Sequence, residues 1–81
     1  MARRSPIDII AVIIIAVRSG NRKRTHIMYE ANLNWSQLNA YLDYMKEKGL
    51  IDYNDDGSVS ITNKGITFLE LYQKLVQILS D

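Results

Sequence analysis

The sequence of 81 residues has no cysteine, and it has one proline, one phenylalanine, one tryptophan and one histidine. Without cysteine the chain can form neither a disulfide nor a thiolate metal site. A chain this short buries only about 60% of its unfolded surface, so its own core is marginal. Because 47% of the residues are hydrophobic, we expect a second copy of the chain to cover the surplus apolar surface.

The sequence also lacks the motifs of enzymes and cofactor sites. It has no glycine-rich phosphate loop, no nucleophile elbow and no spacing typical of paired catalytic carboxylates. The single histidine, His26, has no clustered acidic pattern around it that would form a metal site, and Asp55 and Asp56 are typical of a turn. We therefore expect no enzyme activity, no cofactor, no bound metal and no small-molecule substrate.

The longest apolar run is too short to cross a membrane. Ile7–Val17 is interrupted by Asp8, and a helix needs about 20 residues to span a bilayer. Arg3 and Arg4 precede the run as in a signal peptide, but no small-residue cleavage site follows. We expect a buried helix here, in a cytoplasmic protein that forms one domain over residues 1–81.

The charge is unevenly distributed along the chain. The net charge is +1, but residues 1–24 carry six basic residues and one acidic residue, a net +5. Residues 25–81 carry four basic and eight acidic residues, a net −4. Such asymmetry indicates a surface that faces a polyanion, although a solvated terminus beside a charged loop gives the same pattern.

Capping residues and apolar spacing predict two helices in the first part of the chain. Helix 1 runs from about Pro6 to Ser19, with Ser5 as its N-cap and Gly20 after its end. Its apolar residues lie on every side, so the helix must be buried on every side. Helix 2 runs from about Thr25 to Ala31, with Thr25 as its cap.

Helix 3 has the clearest boundaries. Asn34 is the predicted N-cap, Gln37 completes a capping box, and Gly49 takes the left-handed position after the last turn. A tight turn separates this helix from helix 2, as in a helix-turn-helix unit. The stripe predicted to face the core is formed by Leu38, Tyr41, Leu42 and Met45.

A hairpin and a fourth helix complete the predicted fold. The strands are Ile51–Tyr53 and Ser58–Ile61 around a turn at Asn54–Gly57, and helix 4 runs from the cap Thr62 to about Ser80. Helix 4 has two apolar stripes, and one of them can cover the domain's own core. The other either packs against a partner molecule or forms, with the first, a single wide core face. The fold class is mainly α with a small β-hairpin (α+β), in the winged helix-turn-helix order helix, helix, helix, hairpin, helix.

Several short segments, in this order, carry a family resemblance. They are Arg24-Thr25-His26-Ile27-Met28-Tyr29, Ala31-Asn32-Leu33-Asn34, Leu38, Tyr41-Leu42, Met45, Lys48-Gly49-Leu50-Ile51, Ile61-Thr62-Asn63-Lys64-Gly65 and Phe68-Leu69. On these residues the chain resembles the small archaeal winged helix-turn-helix DNA-binding proteins, which include dimeric chromatin-associated proteins of about ten kilodaltons and transcriptional regulators. The resemblance implies a homodimer held by antiparallel pairing of the last helix, and DNA binding through helix 3.

Two sets of side chains are therefore predicted to contact double-stranded DNA. The first is the basic segment before helix 2, formed by Arg22, Lys23 and Arg24, which we expect to bind phosphates. Lys64 is expected to reach a flanking phosphate. The second set lies on helix 3 away from its core stripe, and it is Trp35, Ser36, Gln37, Asn39, Ala40 and Tyr44.

Within helix 3 the residue types indicate individual roles. Asn39 and Gln37 can pair with adenine, and Ala40 can touch a thymine methyl group. We rank Asn39 first because the capping box occupies Gln37. Ser36 suits a phosphate, whereas Trp35 either lies against the DNA backbone or packs on helix 2.

A homodimer interface is predicted on helices 1 and 4, because helix 4 is short for a coiled coil and helix 1 should share the contact. Arg3 and Arg4 either reach a DNA groove or only discourage aggregation. On this interpretation the protein is associated with the nucleoid. The expected interface residues are Ile9, Ile13, Leu69, Tyr72, Val76 and Leu79.

Two other interpretations remain open. A near-neutral net charge, an uncharged start of helix 3 and surplus apolar surface also suit a winged helix that binds another protein. A third interpretation is a structural subunit that contributes helices 1 and 4 to a larger assembly. If it binds DNA, we expect phosphate to repel Asp55 and Asp56 at the hairpin tip.

Overall fold

Helix α1 (Pro6–Arg18) lies at the centre of the fold in the computed structural model, which describes residues 4–80. It begins at the predicted N-cap, Ser5. The Ser5 hydroxyl accepts a hydrogen bond from the Asp8 backbone N–H (3.2 Å), and the Asp8 carboxylate accepts one from the Ser5 N–H (3.0 Å). This capping box satisfies donors that a helix start leaves free.

Most of the α1 surface is covered, as predicted for a helix that is apolar on every side. The helix packs against α2, α4 and the second strand of the hairpin. Ile7 and Ile15 remain exposed. The buried residues are Ile10, Ala11, Ile13, Ile14, Ala16 and Val17.

Helices α2 (Arg24–Ala31) and α3 (Trp35–Glu47) follow, joined by a short turn. The predicted cap of α2 is wrong, because Lys23 is the N-cap and Thr25 already lies inside the helix. Lys23 has an extended backbone (φ −82°, ψ 142°) that leads directly into the first turn. The predicted capping box of α3 between Asn34 and Gln37 is confirmed.

Three helices end with a residue of positive φ: Gly20 (105°), Asn32 (54°) and Gly49 (79°). After α3, the Leu50 N–H donates to the Met45 carbonyl (2.9 Å), which is the wide hydrogen bond of a Schellman motif. The two glycines end their helices as predicted. Asn32 takes the same conformation at the turn between α2 and α3, where the chain changes direction within three residues.

The hairpin consists of β1 (Ile51–Tyr53) and β2 (Val59–Ile61), paired antiparallel so that the first residue of each strand lies opposite the last of the other. β2 begins one residue later than predicted. The backbone N–H and the hydroxyl of Ser58 both donate to the Asp56 carboxylate (3.0 and 2.6 Å). These bonds hold Ser58 in the turn.

Helix α4 (Asn63–Ser80) begins after the predicted cap, Thr62. The Thr62 hydroxyl accepts a hydrogen bond from the Gly65 N–H (3.1 Å). Gly65 is buried, and a Cβ there would lie 2.3 Å from the Leu50 carbonyl oxygen. Only the first half of α4 packs on the core, because every residue from 73 to 80 is exposed.

The predicted order of three helices, a hairpin and a helix is confirmed, and so is the mainly α fold class. One core cluster joins all of these elements, and α1 contributes more buried residues to it than any other element. Partly buried side chains such as Tyr41, Phe68 and Tyr72 pack at its margin. The largest fully buried side chains are Ile13, Ile14, Ile27, Leu38, Leu42, Met45, Ile51, Val59 and Leu69.

Candidate nucleic-acid interface

The basic segment, residues 22–24, connects the hairpin to the start of α2. The Arg22 carbonyl accepts a hydrogen bond from the Val59 N–H of β2 (2.9 Å), and the side chains of Arg22 and Lys23 are exposed. No side chain of residues 4–80 caps α2, so its first N–H groups lack that partner and lie at the positive end of the helix dipole. Cationic side chains and free donors therefore meet at one end of α2.

The third basic residue, Arg24, extends from α2 to both α3 and the hairpin. Its Nη1 donates to the Asn39 side-chain oxygen, and its guanidinium carbon lies 4.8 Å from the centre of the Tyr53 ring. The Tyr53 hydroxyl donates to the Asp43 carboxylate (3.1 Å). Burial, followed by the Asp43 carboxylate, raises the pKa of Tyr53, so this hydroxyl keeps its proton at neutral pH.

The first turn of α3 is accessible. Trp35 is 52% exposed, which rules out complete packing on α2, and Ser36 and Gln37 are exposed as well. The Gln37 side-chain oxygen accepts from the Asn34 N–H (3.0 Å), while the Asn34 side chain accepts from the Gln37 N–H (2.7 Å). Gln37 is therefore engaged in capping, as the sequence predicts.

The preference for Asn39 as the adenine reader needs correction. Its side-chain oxygen accepts from Arg24, and its amide nitrogen donates to the Trp35 carbonyl (2.8 Å). Pairing with adenine uses both the oxygen and the nitrogen of an asparagine, and here both atoms already have partners. The side chain is half-buried between α2 and α3.

Ala40 and Tyr44 lie on the other flank of α3. Together with Tyr41 they line an open apolar groove of about 350 Å³ whose opposite wall is the start of α1, including Ile7. The Lys48 ammonium lies 5.6 Å from the centre of the Tyr44 ring. The structure therefore separates these two predicted contact residues from the Arg24 flank.

Lys64 does not join the basic segment either. Its ammonium donates to the Lys48 carbonyl (2.6 Å), which places Lys64 at the C-terminal end of α3. Trp35 and Asn39 lie toward the opposite end of that helix. In the DNA-free protein Lys64 thus makes a helix-end contact that satisfies a free carbonyl, and its contact with a flanking phosphate stays a prediction.

The hairpin tip carries negative charge beside the start of α2. Asp56 accepts two hydrogen bonds from Ser58, and these lower the pKa of its carboxyl. It shares a small open cleft with Lys23 and Thr25. Asp55 is exposed at the same tip, so the tip presents two carboxylates.

The N-terminal arginines fall into two cases. Arg4 donates to the Ala31 carbonyl (2.5 Å) and to the Asn32 carbonyl (3.2 Å) at the end of α2. This arginine therefore caps a helix end, and neither predicted role describes that contact. Arg3 lies outside the described residues.

Among residues 4–80, no three His, Cys, Asp or Glu side chains come together as metal ligands. No helix of this part of the chain has both the length and the apolarity to cross a bilayer.

A family model described as winged helix-turn-helix matches residues 3–80. The chain belongs to the winged helix-turn-helix family. Among its relatives are two uncharacterized proteins of Methanocaldococcus jannaschii, MJ0290 (34% identical over 77 residues) and MJ0287 (28% identical over 79 residues). The matches cover 95% and 98% of this chain, but 36% of MJ0290 and 80% of MJ0287.

Two solved structures are similar to this winged helix-turn-helix chain. Sso10a-2, a DNA-binding protein from Sulfolobus solfataricus, has a TM-score of 0.65 at 21% identity, over 88% of this chain and 80% of that one. The O-methyltransferase NcsB1 from neocarzinostatin biosynthesis, in complex with S-adenosyl-L-homocysteine, has a TM-score of 0.65 at 20% identity, over 78% and 22%. At these identities the likeness concerns the fold alone. The predicted archaeal winged-helix resemblance is confirmed by the family match and the relatives.

The winged helix-turn-helix core uses two of the six residues predicted for a dimer interface. Ile13 and Leu69 are 0% and 1% exposed, because the chain's own core covers them, so these two predictions are corrected. Ile9 and Tyr72 are half-buried, and Val76 and Leu79 are exposed. The exposed apolar residues of the second half of α4, here called the α4 apolar face, are Leu71, Leu75, Val76, Ile78 and Leu79.

Sequence reasoning missed three features of this winged helix. These are the Tyr53 ring beneath Arg24, the Arg4 contact with the end of α2, and the Val59 bond to Arg22. Each joins residues at least 27 positions apart. No local pattern in the sequence signals such a contact, because it depends on how the elements pack.

Proposed function

We propose that this chain binds double-stranded DNA, with the exposed start of α3 in the major groove and the basic segment on the phosphate backbone. The observation that carries the proposal is the run of basic residues 22–24 at the start of α2, from which Arg24 reaches Asn39 of α3. In helix-turn-helix proteins the first helix of the unit crosses the backbone and the second enters the groove. The likeness in fold to Sso10a-2, a DNA-binding protein, supports the same function.

The expected contacts divide by chemistry. Arg22, Lys23 and Arg24 contribute three positive charges for phosphate oxygens, and Ser36 with the start of α3 can add neutral donors. Trp35 is sufficiently exposed to lie against the sugar–phosphate backbone. Asp55 and Asp56 keep the hairpin tip away from the duplex, because phosphate repels carboxylates.

We further propose that the chain acts as a homodimer through the α4 apolar face. Leu75, Ile78 and Leu79 are 53%, 70% and 77% exposed, and a contiguous exposed apolar surface is typical of an interaction site. Antiparallel pairing of two α4 helices would cover it. Two recognition helices would then meet half-sites about 34–36 Å apart, one turn of DNA.

Anisotropy titrations of a mixed duplex of about 30 base pairs, at about 50 and 200 mM salt, test DNA binding. We expect affinity to fall steeply with salt. The double variant Arg22→Glu, Lys23→Glu should bind far more weakly than the parent. The matched control, Lys48→Glu with Lys64→Glu, makes the same charge change at the other end of α3 and should lose much less. Equal affinity of the parent and the Arg22/Lys23 variant would refute the phosphate contacts.

The same titrations address the biological role. A regulator binds its preferred site about 10³–10⁷ times more tightly than arbitrary sequence, whereas an architectural protein shows little preference. Selection of bound duplexes from a random pool separates these roles. In either role the protein would work at the nucleoid, in the cytoplasm.

Protein binding without DNA is the second candidate. The groove between Ile7 and Tyr44, with the carboxylates of Asp43 and Glu47 on the same helix, favours a protein partner over a polyanion. No binding to duplex at low salt would support this function.

A further inference from the structure

Arg24 is held by three parts of the protein before any ligand is present. It begins α2, it donates through Nη1 to Asn39 of α3, and its guanidinium carbon lies 4.8 Å from the centre of the Tyr53 ring of β1. A long arginine side chain normally has many conformations, and fixing one of them costs entropy when a ligand binds. Here the fold already restricts the Arg24 side chain, so much of this conformational entropy is lost before a ligand binds.

Both groups that hold Arg24 are uncharged. The one ion pair among residues 4–80 joins Lys46 to Asp52 (2.8 Å), so Arg24 has no carboxylate within ion-pair distance in this part of the chain. The nearby carboxylate of Asp43 accepts from the Tyr53 hydroxyl instead. The guanidinium is therefore fixed in position while its charge stays unneutralised, and its remaining N–H groups can still donate.

We propose that Asn39 and Tyr53 are positioning residues that hold Arg24 for a phosphate of double-stranded DNA. This inference rests on the proposed function and changes the predicted role of Asn39, whose amide already has a partner at each end. The phosphate is favoured over a base because Arg24 begins the helix that crosses the backbone and follows two exposed cations. Tyr53 thereby gains a role that residue type alone did not indicate.

The first test follows the guanidinium in the DNA-free protein by NMR. The Tyr53 ring current should displace the Arg24 side-chain N–H resonance from its ordinary position. Tyr53→Leu should abolish the displacement, and Asn39→Ala should reduce it. An Arg24 resonance at its ordinary position in the parent would overturn the inference without reference to DNA.

The second test is a double-mutant cycle in anisotropy titrations on two duplexes of unrelated sequence. Asn39→Ala should weaken binding about fivefold on both duplexes without changing the salt slope, because no charge is lost. Arg24→Ala should weaken binding more and lower the slope by about 1. In the Arg24→Ala background, Asn39→Ala should have no further effect.

Tyr53→Phe keeps the ring beneath Arg24, so it should lose less affinity than Tyr53→Leu. Gln73→Ala, a loss of an exposed amide on α4, serves as the control and should bind like the parent. Additive losses from Asn39 and Arg24, or a loss confined to one duplex, would overturn the inference and restore Asn39 as a base reader. A parent that displays the NMR shift but binds neither duplex would overturn the proposed function and, with it, the phosphate role of Arg24.

Discussion

Helices α1 and α4 are both rich in aliphatic residues, isoleucine and valine in α1 and mainly leucine in α4, but their surroundings differ. α1 is covered along most of its length, whereas the second half of α4 projects beyond the core with its apolar side chains in solvent. The comparison shows that apolar content predicts a need for cover but does not identify what covers it. In α1 the cover is the chain itself, and for α4 we propose a second copy.

The sharpest test of this comparison deletes the same side chain from the two halves of α4. Leu69→Ala removes a fully buried side chain and should lower the free energy of unfolding by about 3 kcal/mol. Leu75→Ala removes one that is half-exposed in the monomer, and its effect should depend on protein concentration. Chemical denaturation at several concentrations measures both. Equal losses at high dilution would contradict the difference between the halves.

The start of α4 provides the next test, because Gly65 packs against the backbone. Gly65→Ala would bring a Cβ to 2.3 Å from the Leu50 carbonyl oxygen, and forcing the helix away should cost about 2 kcal/mol. Thr67→Ala, an exposed site two residues later, should change stability by less than about 0.5 kcal/mol. Thermal melts of the two variants compare them. If Gly65→Ala were as stable as Thr67→Ala, the close contact would be wrong.

The dimer can be broken without touching the core. Leu75→Lys with Leu79→Lys places two charges on the α4 apolar face, where pairing would have to bury them. We expect sedimentation to show a monomer of about 9 kDa, with a melting temperature that no longer varies with concentration. The control, Gln73→Lys with Gln77→Lys, adds the same charges at polar positions. A parent that is already monomeric at micromolar concentration would refute the dimer.

A hydrogen bond joins α1 and α4 directly, and its expected effect on stability is smaller. The Tyr72 hydroxyl donates to the Asp8 carboxylate (2.6 Å), which lowers the pKa of Asp8 and raises the pKa of Tyr72. The lowered pKa of Asp8 adds stability that is present above its ordinary value of 3.8 and is lost as pH falls through the folded-state pKa. The raised pKa of Tyr72 adds stability that is lost as pH rises above its ordinary value of 10.0.

Tyr72→Phe isolates this pair. We expect the variant to melt below the parent at neutral pH, with a smaller gap under strongly acidic and strongly alkaline conditions. Part of the acid dependence should persist, because Ser5 also lowers the pKa of Asp8. Melting temperatures across the pH range provide the comparison, and a gap independent of pH would rule out the bond.

The sequence predicted most of the features whose causes are local, although the cap of α2 lies at Lys23 and not at Thr25. The caps at Ser5, Asn34 and Thr62 each involve residues three positions apart, and the end of α3 follows from Gly49. Within four residues, the geometry of a helix fixes which groups can meet. Element order and fold class followed from these boundaries.

Contacts between distant residues could not be predicted in the same way. Arg24 meets Asn39 across 15 positions, Lys64 meets the Lys48 carbonyl across 16, and Arg4 meets the Ala31 carbonyl across 27. Residue type identified all three cations as candidates for phosphate or groove contacts, but packing assigned two of them to helix ends. Similarly, a helix that is apolar on every side gives no indication of which isoleucine is left at the surface.

The hydrogen bond from Val59 to Arg22 has one further consequence. It fixes the basic segment to the first residue of β2, whereas the hydrogen bonds of the tip residues Asn54–Gly57 stay within the hairpin, from residue 54 to residue 60. The tip can therefore be shortened, lengthened or replaced by another loop while the strand that orients Arg22 stays in place. Loop grafting at this turn is a direct route to giving the scaffold a new specificity.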